Sequence, residues 1–139
     1  MTITARDIMT ASPECIGEHD TLLQAARKMR DLDVGVLPIC GEDDRLKGMV
    51  TDRDIVIRCL AEDRDPGSVT AGSMAEGTPV TIGADDPLED VLAAMAEYQV
   101  RRLPVIDGRR LVGIISESDI AQNAPAADVA DTIDAVTES

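Results

Sequence analysis

The feature that most constrains this chain is an internal repeat with a period of about 65 residues. The segment Val34–Ile39 matches Val100–Val105, and the segment Leu46–Ile55 matches Leu111–Ile120. Such a repeat marks one supersecondary unit used twice, because a single copy cannot bury its apolar face alone. A length of 139 residues suits one compact domain or two small halves that depend on each other.

Each copy predicts the same order of elements. Asp86 is a predicted helix N-cap, and Leu88–Met95 carries apolar residues spaced three and four apart, which is typical of an amphipathic helix. Asp20 takes the same place before Leu22–Met29 in the first copy. A short extended piece precedes each of these helices, around Ile16 and Ile82.

Two runs rich in Val, Ile and Leu, separated by a turn, predict a β-hairpin after each helix. A second helix follows directly, from Asp52 to about Ala61 and from Glu117 to about Asn123. We therefore expect an α/β fold of two β-α-β-β-α repeats. The expected domains are residues 5–62 for the first repeat, 63–69 for a linker, 70–124 for the second repeat, and 125–139 for an acidic tail that is either a weak helix or disordered.

Charge and composition limit the functions that we expect of this chain. The net charge of −14 would repel nucleic acid and anionic membranes. The sequence contains neither a secretion signal nor an apolar run long enough for a membrane span, so we expect a cytoplasmic protein. His19 is the only histidine, and no nucleophile–base set or metal cluster accompanies it, so we expect no enzyme activity.

Both copies place a hydroxyl three residues before a carboxylate where the last strand becomes a helix. These pairs are Thr51 with Asp54 and Ser116 with Asp119. One interpretation is a capping box, which satisfies free backbone N–H groups at a helix start. The other is a nucleotide site, in which the helix start and the hydroxyl bind phosphate and the carboxylate binds ribose hydroxyls.

The tandem β-α-β-β-α units resemble a pair of CBS domains, or Bateman module. The motifs that carry the resemblance are V-x-x-L-P-V/I on one strand and G-h-h-T/S-x-x-D (h is apolar) before the last helix. The chain is similar to small stand-alone bacterial CBS proteins, including the actinobacterial hypoxic-response type. The resemblance implies repeats packed through their sheets with pseudo-two-fold symmetry. It also implies a non-catalytic protein that binds AMP, ATP or related adenosine ligands in clefts between the repeats.

The resemblance also supplies candidate ligand-binding residues for two clefts. In the first, Asp119 would bind ribose, Ser116 a phosphate or ribose oxygen, and Arg101 and Arg102 phosphate, while three further residues would border the base: Ile114, Pro13 and Cys15. The second cleft would use the corresponding residues Asp54, Thr51, Met49, Pro79 and Thr81.

Arg101 and Arg102 distinguish the two clefts, because Gly35 and Val36 occupy the matching positions in the first copy. A guanidinium can offset the repulsion between a phosphate and an acidic protein through paired hydrogen bonds. We therefore expect the arginine-bearing cleft to bind the charged ligand. The alternative is that both arginines are solvated residues facing an acidic surface.

Two further expectations come from the resemblance. If the strands that carry Cys15 and Cys40 are neighbours, the two sulfurs can form a disulfide; the alternative is buried free thiols.

The second helices pair across a two-fold axis in the family, and the helix with Ile55, Val56, Cys59 and Leu60 is apolar over a wide face, although Cys59 is expected in the core. A homodimer is therefore expected.

The expected function is regulation in trans by ligand binding, with a protein partner that the sequence does not identify. AMP, ADP, ATP and S-adenosylmethionine are the candidate ligands, and no cofactor is expected to be required. The alternative function is a dimeric, stress-related scaffold or interaction protein whose clefts are vestigial.

Overall fold

The computed structural model describes residues 2–75 and 79–123. The helices are α1 (Ala5–Ile8), α2 (Leu22–Leu32), α3 (Asp52–Asp54), α4 (Leu88–Tyr98) and α5 (Glu117–Asn123). Helix α3 continues as a π-helix over Ile55–Leu60, and a 3-10 helix spans Ala71–Met74. The strands are β1 (Thr10–Ala11), β2 (Ile16–Gly17), β3 (Val36–Cys40), β4 (Leu46–Thr51), β5 (Ile82–Gly83), β6 (Arg102–Asp107) and β7 (Arg110–Ser116). The expected acidic tail, 125–139, lies outside the described residues.

The chain divides into two compact units. The first-repeat unit is Glu14–Pro79, and the second-repeat unit combines Met1–Pro13 with Val80–Ser139. Each unit has its own sheet and its own cluster of buried apolar side chains. The α/β class expected from the sequence is therefore present, with two sheets. No helix within the described ranges is long and apolar enough to cross a bilayer.

The sheet of the first-repeat unit has three strands in the order β2-β3-β4. Strand β2 runs parallel to β3, whereas β3 and β4 form the antiparallel hairpin predicted from the sequence. Leu37, Ile39 and Val50 point into the core and are fully or almost fully buried. Helix α2 adds Leu22 and Ala25 to the same cluster, which gives this unit a core without aromatic side chains.

The sheet of the second-repeat unit has four strands in the order β1-β7-β6-β5. The β6–β7 hairpin turns at Gly108, which has a φ of 66°, a backbone conformation that glycine adopts without strain. Strand β1 is the extra strand, because it pairs antiparallel with β7 and matches Thr10 with Ile114. Strand β1, which precedes the first-repeat unit in the chain, therefore completes the sheet of the second-repeat unit.

Two glycines of the hairpins make room for the segment that leads into each repeat. A Cβ atom on Gly113 would collide with the side chain of Met9, which precedes β1. A Cβ atom on Gly48 would lie 2.8 Å from the Cβ atom of Ala75, which follows the 3-10 helix. These glycines therefore allow close packing on the strands before the candidate sites, one of the two roles that glycine commonly has in strands.

The structure corrects the predicted helix caps. Helix α2 is capped by Thr21, whose hydroxyl accepts a hydrogen bond from the Gln24 N–H at 3.1 Å, rather than by Asp20. The Asp20 carboxylate accepts from the Gly17 N–H at 2.9 Å. In the second-repeat unit Pro87 is the N-cap and Asp86 accepts from the Gly83 N–H at 2.8 Å. Both aspartates are thus used to close the turn between the short strand and the helix.

The helix after β4 has a buried side and an exposed side. Ile55 and Cys59, which the sequence placed on its wide apolar face, are 8% and 0% exposed and belong to the core of the first-repeat unit. Val56, Ile57 and Leu60 remain about half exposed, at 51%, 47% and 52%. The exposed apolar face therefore consists of these three residues, and Cys59 is in the core as expected.

Cys15 and Cys40 are joined as a disulfide, with their Cα atoms 5.9 Å apart. Cys15 directly precedes β2 and Cys40 ends β3, and these two strands are parallel neighbours. The Lys28 ammonium donates to the Cys15 carbonyl at 2.7 Å, which fixes α2 to the same point. The bond closes a loop of 25 residues around the first helix of this unit.

We predict that removing this disulfide lowers the free energy of unfolding by about 3 kcal/mol, because a loop of this length restricts the unfolded chain. Urea denaturation with and without dithiothreitol measures the effect. The double variant Cys15→Ser/Cys40→Ser is the control and should not respond to the reductant. Alkylation of three thiols under non-reducing conditions, seen by intact mass, would contradict the prediction.

Candidate functional site

The candidate site of the second repeat is built where β7 becomes α5. The Asp119 carboxylate Oδ2 accepts hydrogen bonds from the Ser116 N–H at 2.9 Å and from the Ser116 hydroxyl at 3.1 Å. The Ser116 hydroxyl oxygen lies 3.3 Å from the Asp119 N–H. This is a capping box, which holds the hydroxyl and the carboxylate side by side at the helix start.

The first repeat has the same arrangement where β4 becomes α3. The Asp54 carboxylate Oδ2 accepts from the Thr51 N–H at 2.9 Å, and the Asp54 N–H donates to the Thr51 hydroxyl at 3.0 Å. Both junctions therefore contain the capping box that was one of the two interpretations of the motif. The box uses Oδ2 of each aspartate, so Oδ1 is the atom that distinguishes the two sites.

The partner of Oδ1 differs between the two units. Oδ1 of Asp119 is 3.3 Å from the hydroxyl of Thr10 on β1, a neutral donor. Oδ1 of Asp54 is 3.6 Å from the guanidinium of Arg58, one helical turn further along. Neither Thr10 nor Arg58 was predicted from the sequence. An aspartate followed four residues later by arginine on a helix is a recognisable signal for the second contact, but Thr10 gives none.

The arginine pair lies on the strand beside the second-repeat site. Arg102 is paired in register with Ser116 across the β6–β7 hairpin, so the two side chains leave the same face of the sheet. The carbonyl of Arg101 accepts from the Glu117 N–H at 3.2 Å. Both arginine side chains are exposed. Neither guanidinium has a hydrogen bond or ion pair to another residue in the described part of the chain.

The matching strand position in the first-repeat unit carries no cation. Val36 pairs in register with Thr51, and the Gly35 carbonyl accepts from the Asp52 N–H at 2.9 Å. A Cβ atom on Gly35 would lie 3.0 Å from the Asp52 carboxylate. Among the described residues, the ion pair of the Asp54 carboxylate is with Arg58, on the helix.

The remaining predicted residues fall into two groups. Ile114 is half-buried on β7 directly opposite Thr10, so it belongs to the Asp119 site. Met49 is half-buried on β4, two residues before Thr51. The other predicted residues are assigned here only to their units: Pro13 and Thr81 belong to the second-repeat unit, and Cys15 and Pro79 belong to the first-repeat unit.

One carboxylate beside the site is incompletely satisfied. The Oε1 atom of Glu117 is buried and has no hydrogen-bond partner among the described residues. Glu117 is the first residue of α5, directly after Ser116. From the sequence, Glu117 was predicted only as the start of the helix.

The comparisons with known proteins identify the family of this chain. The family model for the CBS domain matches residues 5–60 and 72–133, which together include most of the chain. The chain belongs to the CBS domain family. The resemblance and the α/β fold expected from the sequence are thereby confirmed.

Individual proteins and solved structures are also similar to this chain. Hypoxic response protein 1 of Mycobacterium tuberculosis is 54% identical over 122 residues, which are 88% of this chain and 85% of the relative. A crystal structure of Hypoxic Response Protein I with two coordinated zinc ions matches with a TM-score of 0.82 at 54% identity, and the match covers 88% of this chain and 100% of that chain. The CBS domain pair of protein MJ0100, in complex with 5′-methylthioadenosine and S-adenosyl-L-methionine, matches with a TM-score of 0.75 at 27% identity, with 88% and 95% covered.

Because the Hypoxic Response Protein I structure contains two coordinated zinc ions, we asked whether this CBS protein has residues that fit zinc. Zinc sites in proteins use histidine, cysteine and carboxylate ligands, usually four. His19, the single histidine, lies 3.2 Å from Glu18 on the surface, and Cys15 and Cys40 are joined to each other. Across residues 2–75 and 79–123, no group of three or more such side chains could hold a metal ion. The described residues of this chain therefore do not fit a zinc site.

We predict that Thr51→Ala lowers the free energy of unfolding of the ligand-free protein by about 1 kcal/mol, because the Asp54 N–H loses its acceptor. Thr51→Ser keeps that acceptor and serves as the matched control. Urea denaturation of both variants tests the capping role. Equal stability of Thr51→Ala and the wild type would show that the hydroxyl does not stabilise the helix start.

Proposed function

We propose that this CBS protein is a non-catalytic regulatory module that binds an adenine nucleotide or a related adenosine ligand at the Asp119 site. AMP, ADP, ATP and S-adenosylmethionine are the candidate ligands. The ligand would alter how the protein engages a partner, so that the signal acts in trans. The observation that carries the proposal is the convergence of Asp119, Ser116 and Thr10 beside the exposed Arg102.

The chemistry of these groups suits a ribose phosphate. A carboxylate can accept hydrogen bonds from both hydroxyls of a ribose, as an acidic residue does in dinucleotide-binding folds. At Asp119 the Oδ1 atom is held by the hydroxyl of Thr10 at 3.3 Å. A ribose hydroxyl can replace this contact with one of the same kind, so that ligand binding need not break a charged pair.

Electrostatics also favour this site over the one at Asp54. With a net charge of −14, the protein repels a phosphate unless local cations offset the repulsion. Arg101 and Arg102 are exposed and can form paired, charge-assisted hydrogen bonds with phosphate oxygens. Gly35 and Val36 offer no such donor at the matching strand positions.

The base would be bordered by apolar and small residues carried over from the family pattern. Among the residues that share a unit with each site, these are Ile114 and Pro13 for the Asp119 site, and Met49 and Pro79 for the Asp54 site. The adenosine ligands of the MJ0100 domain pair support this class of ligand. An adenine base needs apolar surface on its faces, and β-branched or thioether side chains provide it in a protein with a single aromatic residue.

We predict that Asp119→Asn weakens AMP binding by about tenfold or more, because a hydrogen bond to a charged group contributes roughly 1.5–3 kcal/mol. Asparagine retains the shape of the side chain and an oxygen that accepts the Ser116 N–H. Titration calorimetry measures the affinity, and Asp54→Asn is the matched control at the same position of the other repeat. Unchanged AMP affinity in Asp119→Asn would exclude this site.

We also propose that two copies associate through the exposed apolar face of Val56, Ile57 and Leu60. A depression of about 340 Å³ lies on this helix and is lined by Asp52, Arg53, Val56 and Ile57. Asp52 and Arg53 are adjacent and oppositely charged, so a two-fold axis could bring Asp52 of one copy opposite Arg53 of the other. A dimeric scaffold with vestigial ligand sites, the alternative function, would use the same surface.

We predict that Ile57→Glu shifts the protein towards monomer, because two buried carboxylates would face each other across the two-fold axis. Gln122→Glu changes the equivalent exposed position of the other repeat and is the control. Sedimentation velocity at several concentrations measures the effect. The same association state in wild type and Ile57→Glu would exclude this face as the interface.

A further inference from the structure

Arg58 connects two elements of the first-repeat unit. Its guanidinium donates to the carbonyl of Met74, at the end of the 3-10 helix, at 3.1 Å. The same Nη1 atom lies 3.6 Å from Oδ1 of Asp54. The side chains of Arg58 and Asp54 are 33% and 25% exposed, so the ion pair is partly shielded from water.

This ion pair occupies the one oxygen of Asp54 that the capping box leaves available. Oδ2 already accepts the Thr51 N–H, so Oδ1 is the oxygen with more acceptor capacity left for a ligand hydroxyl. The bond to Met74 holds the guanidinium in place, because a swing away from Asp54 would also break the bond to that carbonyl. A ligand at Asp54 must therefore compete with a resident cation.

Within residues 2–75 and 79–123, no cation forms an ion pair with the Asp119 carboxylate. Asn123 takes the position that corresponds to Arg58, and its amide donates to the backbone carbonyl of Asp119 at 2.7 Å rather than to the carboxylate. The hydroxyl of Thr10 holds Oδ1 instead, and Ala75 takes the position that corresponds to Thr10. The partner of Oδ1 is therefore a neutral hydroxyl in the second repeat and a cation in the first.

We infer that Arg58 is a specificity-determining residue that blocks the sugar-binding oxygen of Asp54 and makes the two sites fill in order, with Asp119 first. This inference rests on the proposed nucleotide function. A partly exposed ion pair of this kind contributes enough to weaken a competing ligand about two- to fivefold. This loss of affinity applies to any ligand that binds Asp54 through its ribose hydroxyls, whether or not the ligand carries phosphate.

The test uses the Asp119→Asn protein, so that binding at the Asp54 site is observed by itself. Adenosine and AMP are titrated into this protein and into its Arg58→Met derivative, with amide NMR shifts of residues 49–54 as the readout. Arg30→Met is the matched control, because it removes the same charge from an ion pair on α2, between Arg30 and Asp31. Arg58→Gln, which retains a donor for the Met74 carbonyl without the charge, is used in the same way if Arg58→Met lowers stability.

We expect adenosine affinity to rise about two- to fivefold in Arg58→Met and Arg58→Gln and to stay constant in Arg30→Met. Unchanged or weaker adenosine binding in the Arg58 variants would overturn the inference. So would a loss confined to AMP, since Arg58 would then be a phosphate ligand. Absence of AMP binding by the wild type would overturn the proposed function as well, whereas wild-type binding at Asp119 with no Arg58 effect would overturn the inference alone.

Discussion

The hydrogen bonds between a hydroxyl and a carboxylate at each strand-to-helix junction hold the rest of the site in position. Ser116 with Asp119, and Thr51 with Asp54, end a strand and begin a helix within four residues. A capping box needs only one carboxylate oxygen for this purpose, which leaves the other oxygen available for a further contact. In the proposed function, the carboxylate that stabilises the helix start would also bind the ribose, so that no separate functional element is needed.

The segment that leads into each repeat determines what contacts the second oxygen. In the second-repeat unit, β1 pairs with β7 and brings Thr10 to Asp119. In the first-repeat unit, the 3-10 helix supplies a backbone carbonyl, and Arg58 spans from it to Asp54. Gly113 and Gly48 permit this packing because a side chain at either position would meet the incoming segment. Two copies of one fold thus acquire different sites through a few side chains.

Much of this architecture could be predicted from the sequence because the repeat and the apolar periodicity determine it. The hairpins, both pairs of helices and the hydroxyl–carboxylate motif are local patterns. The caps were misassigned by one residue at Thr21 and Pro87, because aspartate at either position can close a turn or cap a helix. The contact of Thr10 with Asp119 joins residues that are 109 positions apart, and such a contact depends on strand pairing that a two-residue strand does not reveal in sequence.

The account depends on two sites that are similar in geometry and unequal in charge. The most direct test is an AMP titration of isotopically labelled wild-type protein, followed through the backbone amide NMR signals. The account predicts that residues 114–119, with Arg101 and Arg102, reach saturation at lower AMP concentrations than residues 49–54. Simultaneous saturation of the two groups, or no shift in either, would contradict it.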